Sequence, residues 1–181
     1  MRVIGIDPGS KVCGYGVLEV QNGEVTHIQS GCIIPKPALP LNQRLKVIYD
    51  GLSKVIDQHS PDVMSIEDVF FAKNAKSAIK LGQARGVAIL AGSNAGISIY
   101  EYAPTKVKLA LTGRGRANKA EVQSMLTMLL GVDEWQTQDA SDAVAIAFCH
   151  INISQIEKKL GKEFIQPRRK RRRFTIDDLP S

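Results

Sequence analysis

Residues 2–20 read RVIGIDPGSKVCGYGVLEV, and the fold turns on how this stretch is parsed. An apolar run, Val3-Ile4-Gly5-Ile6, meets a carboxylate, Asp7, directly before Pro8-Gly9, and a second apolar run follows at Val17. Short runs bounded by a Pro-Gly turn read as two strands, Arg2–Asp7 and Gly14–Glu19. Asn22-Gly23 then predicts a tight type I′ hairpin into a third strand over Glu24–Ile34, so strands two and three are antiparallel neighbours. Asp7 therefore stands at the mouth of a strand that reads as buried, and its purpose depends on whether other acids meet it there.

Working outward, Pro35, Pro37 and Pro40 form a stiff connector. Leu45, Ile48, Leu52, Val55 and Ile56 recur at helical spacing and predict a helix over Leu41–Gln58, closed by Pro61. Val63–Glu67 is a fourth strand, Ala75–Ser93 a long helix after Asn74 as a candidate cap, and Ile97–Glu101 a fifth strand. Pro104–Leu111 reads as a short helix. Asn118 and Glu121 are spaced as a capping box, and the helix they open turns Val122, Met125, Leu126 and Leu129 to one face and ends at Gly131. A last helix runs from near Asp139 to Leu160, with Ala143–Phe148 apolar nearly all round and hence deeply buried. This order predicts an α/β fold: a mixed five-stranded sheet flanked by helices on both faces. Residues 1–160 form its domain and 161–181 a basic, flexible C-terminal tail.

The chain carries a net charge of +6, of which Pro167–Ser181, with six Lys/Arg and two Asp, supplies +4. Basicity so concentrated points to an anionic partner without saying which one. Cys13, Cys32 and Cys149 are far apart and form no C-x-x-C pair, which fits reduced core thiols of a cytoplasmic protein. No secretory leader is evident, and no apolar run approaches the ~18 residues of a membrane span.

Asp7 and Glu67 each end a strand. If a right-handed crossover makes those strands parallel neighbours, their carboxyl ends lie side by side, where open α/β sheets place their functional crevice. Asp139 and Asp142 are three apart and share a helical face near the start of the last helix. Four unpaired carboxylates crowded together are costly, and a divalent cation removes the cost. Mg²⁺ suits an all-oxygen set, whereas zinc would call for a Cys/His cluster the chain lacks. Two such ions can activate a water and steady a leaving oxygen in phosphodiester cleavage. Each acid also has an ordinary reading: Asp139 as an N-cap, Asp7 as a turn residue.

The stretches GIDPGSKVCGYGV (5–17), SIEDVFFAKNAKSAIKLGQARGV (65–87), YAPTKVK (102–108), GRANKAEVQ (115–123) and QDASDAVAIAFCH (138–150) resemble the RuvC-type Holliday junction resolvases. The resemblance spans about 150 residues in the expected order. It implies an RNase H-like fold and a crossover junction endodeoxyribonuclease that acts in recombination and repair. Asp7, Glu67, Asp139 and Asp142 are then the ligands of two Mg²⁺ ions. Phe70 inserts into or stacks on junction bases, and Lys108 and Lys119 contact the scissile region. The resemblance also implies a homodimer in which each protomer nicks one of two opposed strands, with a branch-migration motor as partner. The tail from Gln166 onward is unlike the family's compact end.

Other features carry two readings each. Phe70 and Phe71 either stack on an unpaired base or pack under their loop, with Phe70 the more exposed of the two. Lys73, Lys76 and Lys80 form either a phosphate-contacting face or a solvated one. Gly82 and Gly86, costly within a helix, mark either a dimer interface or tight packing on the protomer's own sheet. Gly113-Arg114-Gly115-Arg116 is a phosphate-binding loop or a plain mobile one. Lys119 opposes the helix dipole in a first turn, a local misfit that favours use at a cleaved phosphate. His27 and His59 are expected at the surface, and His150 in a structural role. Two rival functions are a branched-DNA-binding protein without catalysis and an actin-like ATPase, for which the chain is short.

Overall fold

The computed structural model describes residues 1–68 and 75–161. Its strands are β1 (Arg2–Asp7), β2 (Cys13–Gln21), β3 (Glu24–Ile33), β4 (Val63–Glu67) and β5 (Ser98–Tyr102). Its helices are α1 (Leu41–His59), α2 (Ala75–Asn94), α3 (Pro104–Thr112), α4 (Lys119–Leu130) and α5 (Gln138–Lys159). The sheet order is β3-β2-β1-β4-β5. β1 pairs antiparallel with β2 and β2 with β3, while β4 runs parallel to both β1 and β5. This is the mixed five-stranded sheet that the residue pattern predicts.

Local chemistry accounts for most boundaries. Asn22 and Gly23 both hold positive φ, 53° and 87°, as the predicted hairpin turn requires. α1 starts after Pro40 and ends where Ser60 adopts a left-handed conformation and its N–H donates to the carbonyl of Ile56. α4 has the expected capping box: the Asn118 side chain accepts from the Glu121 N–H, and Glu121 accepts from the Asn118 N–H. Its inward face differs from expectation at two residues, one of them Met125, which belongs to neither buried cluster. Leu126 is fully buried, but Leu129 is 44% exposed and Leu130 packs on the core instead.

Strand alternation divides the interior into two layers. Ile4, Ile6, Met64 and Ile66 face α1 and α2, meeting Ile48, Leu52, Ala84 and Ala88. Val3 and Leu18 face the other way, toward α3, α4 and α5. α5 is the backbone of that second layer, with Ala143, Val144, Ala145, Ile146, Ala147, Cys149 and Ile151 all buried. Helices thus cover both sheet faces, and among the described residues no helix is long and apolar enough to cross a membrane.

Two histidines depart from or settle their expected places. His59 is buried, not superficial, and its ring pairs with the Gln29 side chain at 2.6 Å. His150 is buried between Tyr100 and Tyr102, its Nδ1 bonded to the Tyr102 hydroxyl at 2.8 Å, and burial lowers its pKa to about 4. It is a structural residue, as expected.

Candidate functional site

Side-chain parity decides where the strand-end acids point. Val3, Gly5 and Asp7 share one face of β1, and Val63, Ser65 and Glu67 share one face of β4. Val3 packs on the α5 side, so Asp7 and Glu67 both project toward α5. The parallel register pairs Ile6 with Ile66, which sets the two acids one step further on, side by side.

α5 brings the other two. Its N-cap is Thr137, whose hydroxyl accepts from the Ala140 N–H at 3.2 Å. Asp139 is therefore not the cap but lies in the first turn, with Asp142 one turn along the same face. The helix can reach the sheet because glycines face it. A Cβ on Gly5 would lie 2.0 Å from the Ala143 carbonyl oxygen, and one on Gly14 would lie 2.1 Å from that of Asp139. Gly14 is the register partner of Asp7. The missing side chain at Gly14 is thus what lets the α5 N-terminus settle beside the strand that carries Asp7.

Asp7, Glu67, Asp142, Lys108 and Lys119 line one cleft of about 270 Å³. Burial pushes the Asp7 carboxyl up from 3.8 to about 7, and repulsion from Glu67, Asp142 and Asp139 adds to the rise, while Lys119 opposes it. Glu67 is raised by burial and then by Asp142, again against Lys119. Lys119 Nζ donates to Asp142 Oδ2 at 2.9 Å, and that bond chiefly raises its own pKa. Its side chain stays 66% exposed, so the ammonium spans the acids and the cleft mouth.

The donor chemistry is that of a hard cation. The cleft offers carboxylate oxygens and no imidazole. Cys13 is fully buried, and that burial pushes its thiol up to about 12. Cys32 is engaged with the Thr137 hydroxyl at 2.9 Å. The acids repel one another without yet forming a closed cage. Among the described residues no three His, Cys, Asp or Glu side chains stand at metal-holding spacing, and Asp142 is turned to Lys119. The set fits a divalent cation in its chemistry and its electrostatic need.

The remaining residues singled out in the sequence spread around this cleft. Asp139 lines a neighbouring groove with Gly9, Ser10, Lys11, Ser77 and Lys80. Lys76 lies exposed at the start of α2. Arg114 is not in the acidic cleft: it pairs with Glu121 at 2.9 Å and lines a separate groove with Met125 and Met128. Arg116 is exposed in the same loop. Phe70, Phe71, Lys73 and the Asn74 cap lie outside the described residues, as does the tail from 162 onward. Sequence reasoning missed Thr137 as the cap and the close approach at Gly14. The signal for the latter was a glycine opposite the acid across the Pro-Gly turn.

The model of the family described as "Crossover junction endodeoxyribonuclease RuvC" matches residues 3–150. The protein of that name from Trichlorobacter lovleyi is 45% identical over 169 residues, covering 93% of this chain and 95% of the relative. Its namesake from Geobacter sp. (strain M21) is 49% identical over 150 residues, covering 83% and 92%. Among solved structures, T. thermophilus RuvC in complex with a Holliday junction substrate superposes with a TM-score of 0.81 at 32% identity, covering 90% and 97%. The yeast mitochondrial Holliday junction resolvase Ydc2 shares the fold at 12% identity with a TM-score of 0.62, covering 88% and 82%.

Proposed function

The chain belongs to the RuvC family of crossover junction endodeoxyribonucleases, and on that premise we propose which of its residues carry the reaction. The enzyme hydrolyses phosphodiester bonds at four-way DNA junctions. The observation that carries the assignment is the cleft in which Asp7, Glu67 and Asp142, from three separate elements, stand beside Lys108 and Lys119; burial and the like charges around it raise the Asp7 pKa. Such crowding has a use when a cation is drawn in.

Asp7, Glu67, Asp139 and Asp142 are the residues that would hold Mg²⁺, two ions in this reading. When bound, the cations supply Lewis-acid activation of water and stabilisation of the leaving oxygen. The chain's own residues do the rest. Asp7, at the centre of the sheet, fixes the middle of the site, and Glu67 flanks it on the next strand. Asp139 and Asp142 move as one unit because a single helical turn carries both. Lys119 releases or keeps Asp142 while offering its exposed ammonium to the phosphate being cut. Lys108, on the cleft wall, adds a second positive charge there. Arg114, Arg116, Lys73 and Lys76 hold more distant phosphates, with Arg114 exchanging Glu121 for DNA. Phe70 opens the crossover by stacking.

A homodimer is supported by the outer face of α2. Ile79 and Leu90 are 62% and 51% exposed, and a Cβ on Gly82 or Gly86 would meet nothing within 4 Å among the described residues. Those four positions fall on one helical stripe, flat enough for a second helix to approach closely. Own-sheet packing, the other reading of these glycines, finds no support. We further propose that residues 1–160 make up the catalytic domain, that the basic tail adds phosphate attraction, and that the protein works in the cytoplasm with a branch-migration motor.

The test is a synthetic four-way junction incubated with and without Mg²⁺, with nicks mapped on all four strands. Paired, symmetric nicks on two opposed strands that need the cation are expected. An Asp7→Asn protein that still nicks at the normal rate refutes the residue assignment. A protein that binds the junction and never cuts it returns the non-catalytic reading.

A further inference from the structure

The end of β4 is held by a residue that belongs to neither the sheet nor the acidic cleft. Arg85 lies on α2, in the third turn after the helix start. Its Nε donates to the main-chain carbonyl of Glu67 at 3.1 Å. Its terminal nitrogen donates to the Glu101 carboxylate on β5 and lies 4.0 Å from Asp68 Oδ1. The side chain is only 21% exposed. One planar guanidinium therefore ties together α2, the last residue of β4 and the neighbouring strand.

We infer that Arg85 is a positioning residue for Glu67: its fork fixes the Glu67 peptide and, through it, the direction of the carboxylate in the cleft. Three observations bear on this. The bond is made to the carbonyl of the acid itself, at the point where β4 stops. The Asp68 N–H, in the same peptide unit as the Glu67 carbonyl, donates to the Tyr102 carbonyl at 2.9 Å, so β5 and Arg85 hold that one planar peptide from its two sides. And the two donors of Arg85 point to separate acceptors in one plane, a geometry that lysine cannot reproduce. Because α2 also carries the outward apolar stripe, whatever packs on that stripe bears on the same helix that holds Glu67. The inference rests on Glu67 being one of the acids that serve the reaction.

The experiment compares wild type with Arg85→Gln, Arg85→Lys and Glu67→Gln. It measures single-turnover junction cleavage, junction affinity in EDTA by mobility shift, thermal unfolding, and calorimetric titration of the protein with Mn²⁺ alone. Arg85→Gln is expected to bind the junction as wild type does, to cut roughly 10–100-fold more slowly and to bind Mn²⁺ more weakly by a similar factor. Arg85→Lys, which keeps the charge and one bond, is expected between the two, and it carries the test if the glutamine variant fails to fold. Glu67→Gln is expected to be inactive. An inactive Glu67→Gln beside an Arg85→Gln or Arg85→Lys with wild-type rate and Mn²⁺ affinity overturns the positioning role alone. A parallel loss of rate and junction affinity in the Arg85 variants also overturns it, by making Arg85 a DNA contact. An active Glu67→Gln overturns the reading of the site.

Discussion

Replacing Asp7 by Asn should stabilise the protein while it abolishes cleavage, and the size of the gain can be worked out. In the fold, the Asp7 carboxyl keeps its proton until about pH 7, against 3.8 when unhindered. Between those two values the unfolded chain has released the proton and the folded one has not, so stability falls as pH rises. The loss begins near pH 4, is complete slightly above pH 7 and is flat beyond. At about 1.4 kcal/mol per pH unit it reaches roughly 4 kcal/mol, and ~2 kcal/mol is a floor once salt screens the repulsive part. Asparagine matches the carboxyl in shape and never ionises, so the variant escapes this loss. Urea unfolding in EDTA should show the two proteins equally stable near pH 4, with the variant ahead by about 2–4 kcal/mol at pH 8. Added Mg²⁺ should then stabilise wild type and leave the variant almost unmoved. Equal stability at pH 8, or a difference that does not change between pH 4 and 8, refutes the claim that burial, with repulsion added to it, makes the Asp7 charge costly until a cation relieves it.

Other expectations follow from the same geometry. Gly14→Ala places a methyl 2.1 Å from the Asp139 carbonyl oxygen where 3.4 Å is the ordinary limit, so α5 must retreat by roughly 1.3 Å. Thermal melting should show a loss of about 1–3 kcal/mol, and single-turnover cleavage should fall on the order of 100-fold. Lys119→Met removes a partly exposed ion pair and should cost at most about 1 kcal/mol of stability. It also removes the charge that holds Asp7 and Glu67 down, so the acid limb of the pH–rate profile should move to higher pH. Thr137→Ala deletes the α5 cap and should cost about 1 kcal/mol by urea unfolding, with Thr137→Ser near wild type. Truncation after residue 161 should leave cleavage intact, weaken junction binding and flatten its log–log salt slope by about 0.9 for each phosphate the tail no longer neutralises.

The fold was legible where local chemistry decides it. Asn22-Gly23 admits few turns, the Asn118/Glu121 box announces a helix start, and strand alternation needs only a period of two. That Asp7, Glu67 and Asp142 meet in one cleft was legible because β1, β4 and α5 each have an end there, whereas Asp139 lines the neighbouring groove. What stayed hidden depends on facts beyond the chain's local pattern. Thr137 and Asp139 are both good caps, and only the docked helix decides between them. Leu129 and Leu130 are equally apolar, and the choice of which packs is made by the angle of α4 on its neighbours. Arg85 looks like any helical arginine until its reach to the Glu67 carbonyl is measured. The role of Gly14 is to leave space empty, and its place opposite Asp7 hints at that without saying which element fills the space.

α5 serves two purposes with one rod. Its first two turns present Asp139 and Asp142, and among the described residues the turns that follow are largely buried. Cutting ability therefore cannot decay gradually ahead of the architecture as the temperature climbs: the blade and the keel are the same piece. Inactivation and melting curves recorded side by side should coincide, and engineering aimed at heat tolerance along Ala143–Ile151 will shift the working range of the nuclease by the same number of degrees.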